Sequence, residues 1–235
     1  MFSGSTILLT GVGGEGQVGE AVAAAFAALG ASLVLVDRTA AKAEARAAAL
    51  RRDDKPARGY ACDLADPASV AKLVESVQAN HGPALHGLVH MAGGFAMSGP
   101  VAESSLDVWN RQLSINLTTA FLTTRAFLPS IRRARGSIVL FASQAALPGS
   151  TGANMSAYTV AKTGVAALMR AIAAEERANG VRANALAPTS IRTAANLSSM
   201  GPDARYVERE HVASVVTFLC SPAASAITGE LVPLS

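Results

Sequence analysis

The chain has 235 residues, half of them apolar, with a net charge of +3 and a pI of about 9.1. That length buries one large core or two small ones, and with no Pro/Ser-rich or charged linker one domain, 1–235, is expected. The basic excess is mild, and its densest cluster (Arg132, Arg133, Arg135) has no interleaved aromatic residues, which argues against a nucleic-acid partner and for a solvated helix end.

Thr6–Thr10 is a short apolar run closed by glycines and reads as a buried strand. A helix at Val18–Leu29, a strand at Ser32–Val36, a charged-faced helix at Ala40–Arg52 and a weak strand at Arg58–Ala61 follow. Asp66-Pro67 supplies an N-cap with proline in the first helical position, opening a helix to about Ala79. Next come a strand at Leu85–His90, a long helical region from Ser105 to about Arg133, and a strand at Ser137–Phe141. A helix carrying Tyr158 runs to about Ala178, with strands at Val181–Leu186 and Ile227–Val232 around a helix at Glu210–Leu219. Continuous apolar strands separated by helices predict an α/β fold: a doubly wound parallel sheet of the Rossmann kind.

The longest uncharged run, Ala21–Val36, is interrupted by Gly30 and Ser32 and falls short of the ~20 residues of a membrane span. The N-terminus has no basic segment before an apolar core, so no export signal is expected. Cys62 and Cys220 are far apart, in no Cys-x-x-Cys spacing, and read as buried free thiols of a cytoplasmic protein. No metal site and no membrane partner are expected.

The segment Thr10–Gly19 joins the first strand to the first helix. Its glycines (Gly11, Gly13, Gly14, Gly16, Gly19) let backbone approach a pyrophosphate, and the helix N-terminus beginning at Val18 offers free N–H groups. Asp37, eighteen residues past Gly19, closes the second strand, where a carboxylate can accept from both adenosine ribose hydroxyls. Its charge disfavours a 2′-phosphate and points to NAD, while Arg38 beside it keeps NADP open. Asp63-Leu64 follows the third strand, where an adenine amino group is expected. Ala92-Gly93-Gly94 follows the fourth, where small residues let a cofactor lie against backbone. Tyr158 and Lys162 stand one helical turn apart on one face, so the ammonium can favour the phenolate and pull its pKa toward the working range of a general acid or base.

In this order the residues resemble the short-chain dehydrogenase/reductase family over nearly the whole chain. Asn116 in Ser-Ile-Asn-Leu is similar to the family's helix asparagine, Ser143 to its catalytic serine, and Tyr158 with Lys162 to its signature pair. The resemblance implies hydride transfer between nicotinamide and a small-molecule carbonyl or alcohol. In it Tyr158 would exchange the proton, Ser143 would bond the substrate oxygen, and Lys162 would lower the phenol's pKa and hold the nicotinamide ribose. Asn116 would help position a relay water. Pro188 and Thr189 would hold the carboxamide, with Thr193 either a hydroxyl partner of the cofactor or a helix cap.

Several positions depart from the family's pattern. The glycine loop is two residues longer than usual, leaving open which of Gly13, Gly14 and Gly16 faces the pyrophosphate. His90-Met91 stands in place of Asn-Asn, which removes side-chain amides that brace the fourth strand, and Thr189 replaces a glycine. The substrate lid at about 189–209 is short, so the pocket is expected to be open or completed by a neighbouring subunit. Ala-Gly-Gly, Pro-Thr and the short lid are also similar to dihydropteridine reductases, although Ser143 fits ordinary carbonyl chemistry. A dinucleotide-binding protein without turnover is a further alternative. Phe95, Met97, Ala145, Leu147 and Met155 are expected to line an apolar substrate pocket. The apolar helices 105–133 and 153–178 offer faces for a homodimer or homotetramer.

Overall fold

A computed structural model describes residues 1–51 and 56–235. Its strands are β1 (Thr6–Thr10), β2 (Ser32–Asp37), β3 (Ala57–Ala61), β4 (Gly87–His90), β5 (Ser137–Phe141), β6 (Arg182–Pro188) and β7 (Leu231–Leu234). Its helices are α1 (Val18–Ala28), α2 (Ala40–Leu50), α3 (Pro67–His81), α4 (Leu106–Leu113), α5 (Thr119–Ala134), α6 (Ser156–Glu175), α7 (Ala194–Met200) and α8 (Arg209–Cys220). The strands form one parallel sheet in the order β3-β2-β1-β4-β5-β6-β7. This is the doubly wound α/β fold expected from the sequence.

Alternation along each strand divides the core. Ile7 and Leu9 face one layer with Val22 and Phe26 of α1 and Val212 and Val216 of α8. Leu8 faces the other with Leu73 of α3, Phe127 of α5 and Met169 of α6. Phe26 and Phe127 are fully buried, and each such side chain contributes about 1.5–3 kcal/mol. Asp66 caps α3 as expected, its carboxylate accepting from the Ala68 and Ser69 N–H groups at 3.1 Å each. Because β1 pairs with β2 on one side and β4 on the other, the chain leaves β1 and β4 toward opposite faces. That reversal opens a crevice at the carboxyl ends of the strands, where ligands bind in folds of this type.

The single helix expected over 105–133 is two helices joined by a π-turn, Ser114–Thr118. α7 was signalled only by Thr193 as a possible helix cap, and the last strand lies at Leu231–Leu234, later than the expected Ile227–Val232. The predicted end of the second helix at Arg52 lies outside the described residues. The basic cluster is not simply solvated: Arg132 grips Glu176 through Nε at 2.7 Å and Nη2 at 2.5 Å, which holds that carboxyl below its ordinary range. Both cysteines are free and buried. Among the described residues no helix is long and apolar enough to cross a membrane, and no cluster of His, Cys, Asp or Glu could hold a metal ion.

Candidate active site

At the end of β1, Thr10 ties the crevice together. Its Oγ1 accepts from the N–H groups of Met91 at 3.1 Å and Ala92 at 3.2 Å. His90 bridges Thr10 Oγ1 and Thr119 Oγ1 through its two ring nitrogens, each at 3.2 Å. The expected loss of bracing at His90-Met91 is therefore corrected, since the imidazole supplies the brace. Burial, aided by the charge of Lys162, pushes His90 down to about 3 and keeps it neutral.

The glycine loop resolves unevenly. Gly11 lies at φ +71°, with its missing Cβ only 2.9 Å from Ala92 N, and a Cβ on Gly19 would sit 2.3 Å from the Gly11 carbonyl. Gly13 is pressed onto Asp37, and its N–H donates to Asp37 Oδ2 at 2.9 Å; Thr39 N–H donates to Oδ1 at 3.1 Å. Gly11, Gly14, Gln17 and Val18 line the crevice, whereas Gly13, Gly16 and Gly19 do not. Gly16 and Gly19, both expected as cofactor contacts, thus stand behind the cleft wall rather than in it. Gly19 packs under Gly11, and Gly16 is turned outward, its N–H donating to Glu20 Oε2 at 2.8 Å and its carbonyl accepting from Ala194 N–H at 3.0 Å.

The crevice is a continuous cleft of about 1360 Å³ running past Asp37, Arg38, Asp63 and Leu64, then Ala92 and Gly93, to Ser143, Tyr158 and Lys162. Beyond them it reaches Pro188, Thr189 and Thr193. Lys162 is buried, donates from Nζ to the Phe141 carbonyl at 2.8 Å, and is pushed down to about 8 by burial. The Tyr158 ring lies between Lys162 Nζ, 5.8 Å from its centroid, and the Phe95 ring, edge-on at 5.0 Å. Burial raises the phenol's pKa, with the Ser143 hydroxyl acting against it. The expected lowering by Lys162 is corrected here: its ammonium is directed at the Phe141 carbonyl, and desolvation prevails.

Ser143 Oγ accepts from Ala145 N–H at 3.2 Å, so its own hydrogen is available to another oxygen. Asn116 is buried within the π-turn. Its Oδ1 accepts from Gly94 N–H at 3.1 Å, and its Nδ2 is shared among Gly94 O, Gln112 O and Gln112 Oε1. The side chain therefore braces Gly94. Gly93 is required where it is, because a Cβ there would meet Asn116 Oδ1 at 2.6 Å.

Thr193 takes the alternative role of N-cap to α7, its Oγ1 accepting from Asn196 N–H at 3.1 Å. Thr189 Oγ1 is buried in the cleft wall without a partner, a polar atom that a bound carboxamide could satisfy. That orphan hydroxyl, the glycine-lined floor and the Asp37 carboxylate fit a dinucleotide. Phe95, Ala145, Leu147 and Met155 line the cleft as expected, but Met97 does not and stands 56% exposed. Gln17, Gln112, Ile115 and Gln144 also line it and were missed. Gln17 and Ile115 carried a sequence signal, the first inside the glycine loop Thr10–Gly19 and the second as the residue preceding Asn116 in the quoted motif.

A family model described as enoyl-(acyl carrier protein) reductase matches residues 11–234. The chain is 36% identical to the D-threitol dehydrogenase of Mycolicibacterium smegmatis over 97% of its own length and 90% of that protein's. It is 31% identical to the meso-2,3-butanediol dehydrogenase of Serratia marcescens, covering 99% and 94%. An NAD+-bound xylitol dehydrogenase superposes with a TM-score of 0.87 at 28% identity, covering 99% and 98%. The chain belongs to the short-chain dehydrogenase/reductase family. As a short-chain dehydrogenase/reductase it is an oxidoreductase of the CH–OH/C=O couple. The family's serine, tyrosine and lysine thus meet at the end of β5, on a helix one turn of which spaces the last two.

Proposed function

We propose that this short-chain dehydrogenase/reductase is NAD(P)-dependent and interconverts a small-molecule alcohol and its carbonyl, with Tyr158 as general acid and base. The observation that carries this reading is the convergence of Ser143, Tyr158 and buried Lys162 on a cleft that continues to Asp37. Bound there, a nicotinamide dinucleotide would supply or accept the hydride. Asp37 and Arg38 would hold the adenosine ribose, Gly11, Gly14, Gln17 and Val18 the pyrophosphate, Asp63 and Leu64 the adenine, and Lys162, Pro188 and Thr189 the nicotinamide half. Asp37 favours NAD, in keeping with the NAD+ bound by the xylitol dehydrogenase neighbour. The segment 189–209 acts as the lid.

In reduction Tyr158 delivers its proton to the carbonyl oxygen, while the free hydrogen of Ser143 Oγ bonds the same oxygen as negative charge develops. In oxidation Tyr158 takes the hydroxyl proton. Burial raises the phenol's pKa and the Ser143 hydroxyl opposes that rise, while Lys162, still mainly protonated at pH 7, would bond the nicotinamide ribose. The apolar side chains of Phe95, Ala145 and Leu147 on the cleft wall leave orientation to these few polar groups.

The test is turnover of NADH against a panel of ketones, aldehydes and quinones. Tyr158→Phe is expected to lower the rate by about 10²–10⁴-fold with dinucleotide affinity nearly unchanged. Wild-type rates in that variant would refute the role of Tyr158, and NADH binding without turnover in the wild type would favour a non-catalytic binder.

A further inference from the structure

Outside the catalytic residues, one charged cluster joins three parts of the molecule that the proposed reaction needs to act together. Glu20, in the first turn of α1, accepts Gly16 N–H at 2.8 Å and Arg46 Nη1 at 2.6 Å, and meets Arg209 Nη1 at 3.4 Å. The same Arg46 reaches along the glycine loop, donating to the carbonyls of Val12 at 3.2 Å and Gly14 at 3.4 Å. On the far side of the loop, the Gly16 carbonyl receives the N–H of Ala194, the first residue of α7, at 3.0 Å. Gly16 is at φ +66°, and a Cβ on it would press to 3.0 Å from the Cβ of Ala194. The base of the lid is closed independently by the Ile191–Val207 bridge and by Arg192 on Glu208 at 2.7 Å. Gly16 is thus the residue at which loop, α1 and lid helix meet.

We propose that Glu20 is a positioning residue for the dinucleotide: it turns Gly16 out of the cleft, keeps Gly14, Gln17 and Val18 at the cleft wall, and seats α7 through the Gly16 carbonyl. The inference rests on the dinucleotide reading given above. A loop with glycines at 11, 13, 14 and 16 has large conformational freedom, and ordering it on ligand binding would subtract from affinity. Glu20 and Arg46 pin it beforehand at Val12, Gly14 and Gly16. A lone carboxylate at this helix end would repel a diphosphate. Arg46 at 2.6 Å, with Arg209 shared between Glu20 at 3.4 Å and Glu210 at 3.7 Å, offsets its anion-repelling effect.

The two effects predict opposite outcomes for one substitution. Glu20→Gln removes a negative charge near the pyrophosphate subsite, so a purely electrostatic role predicts tighter binding. Positioning predicts weaker binding, by about tenfold, as for loss of a charge-assisted hydrogen bond. NADH and NADPH dissociation constants of the purified full chain are measured by fluorescence, alongside amide exchange at 194–200 in the dinucleotide-free protein. The expected result is a rise in both dissociation constants and faster exchange in α7. Unchanged or lower dissociation constants, or unchanged exchange in α7, overturn the proposal. Ala194→Pro supplies the second variant. Proline is tolerated at the first helical position, and Thr193 before it is already extended at φ −104°, ψ 159°. It removes the donor to Gly16 and should speed NADH dissociation severalfold; an unaltered rate sinks the seating of α7 on the loop. Failure of wild-type protein to bind either dinucleotide would instead defeat the cofactor reading, whereas exchange in α7 reports the coupling by itself.

Discussion

Around β1 and β2 the cleft is made of backbone; at the end of β5 it is made of side chains. The first region places Gly11 and Gly14 at the wall and keeps its charged groups, Asp37, Glu20 and Arg46, bonded to loop peptides. The second presents Ser143, Tyr158 and Lys162, with only Lys162 anchored by a strong bond, to the Phe141 carbonyl. The contrast suits the tasks proposed for the two regions. Holding a pyrophosphate needs many N–H groups at close range, which any atom beyond hydrogen obstructs. Moving a proton needs one group of the right acidity, which nothing else replaces. One region should be broken by adding atoms, the other by deleting them.

The largest effect is expected from addition. Gly19→Ala puts a methyl 2.3 Å from the Gly11 carbonyl, with backbone on both sides. The loop must move, stability should fall by about 1–3 kcal/mol, and dinucleotide binding should be lost; thermal melting and fluorescence titration check both. The brace between the regions should show itself in acid. His90 is held at about 3 in the folded state against an ordinary 6.5, so the unfolded chain binds the extra proton between those values. Stability from this group is present above pH 6.5 and is lost as pH falls toward 3. Melting temperature should fall across that window, and His90→Asn should flatten the slope; an equal slope in the variant would count against the brace. The smallest effect is expected at Asp37→Ala, where preference for NAD over NADP should relax by about tenfold, read from the ratio of kcat/KM values.

Legibility in the sequence differed along the same line. Buried strands such as Leu8–Thr10 and Ser137–Phe141 announce themselves by continuous apolar runs, and α3 by Asp66-Pro67, because burial and capping are local properties of residue type. The Tyr158–Lys162 spacing is equally local, being set by the helical repeat. The π-turn at Ser114–Thr118 was hidden, since its apolar spacing continues that of an ordinary helix and the extra residue is accommodated by Asn116 bonding Gln112 and Gly94. α7 was legible only at its cap, Thr193, and not along its length, for another reason. It has seven residues, none buried, and leans on the Gly16 carbonyl and the Thr193 cap rather than on an apolar face. The outward turn of Gly16 depends on Glu20, Arg46 and Ala194, which approach from three separate elements.

Residue order alone therefore determined the parallel α/β layering, and it singled out Asp37 after β2 and the Ser143, Tyr158 and Lys162 of the proposed chemistry. These follow from hydrophobic period, strand-end position and helical spacing, all of short range. Tertiary structure decided which glycines meet the cleft, that His90 replaces an amide brace, that Asn116 supports Gly94, and that desolvation raises the Tyr158 pKa. Each of those depends on distances between segments far apart in the chain, and burial and hydrogen-bond competition are settled only once those segments pack.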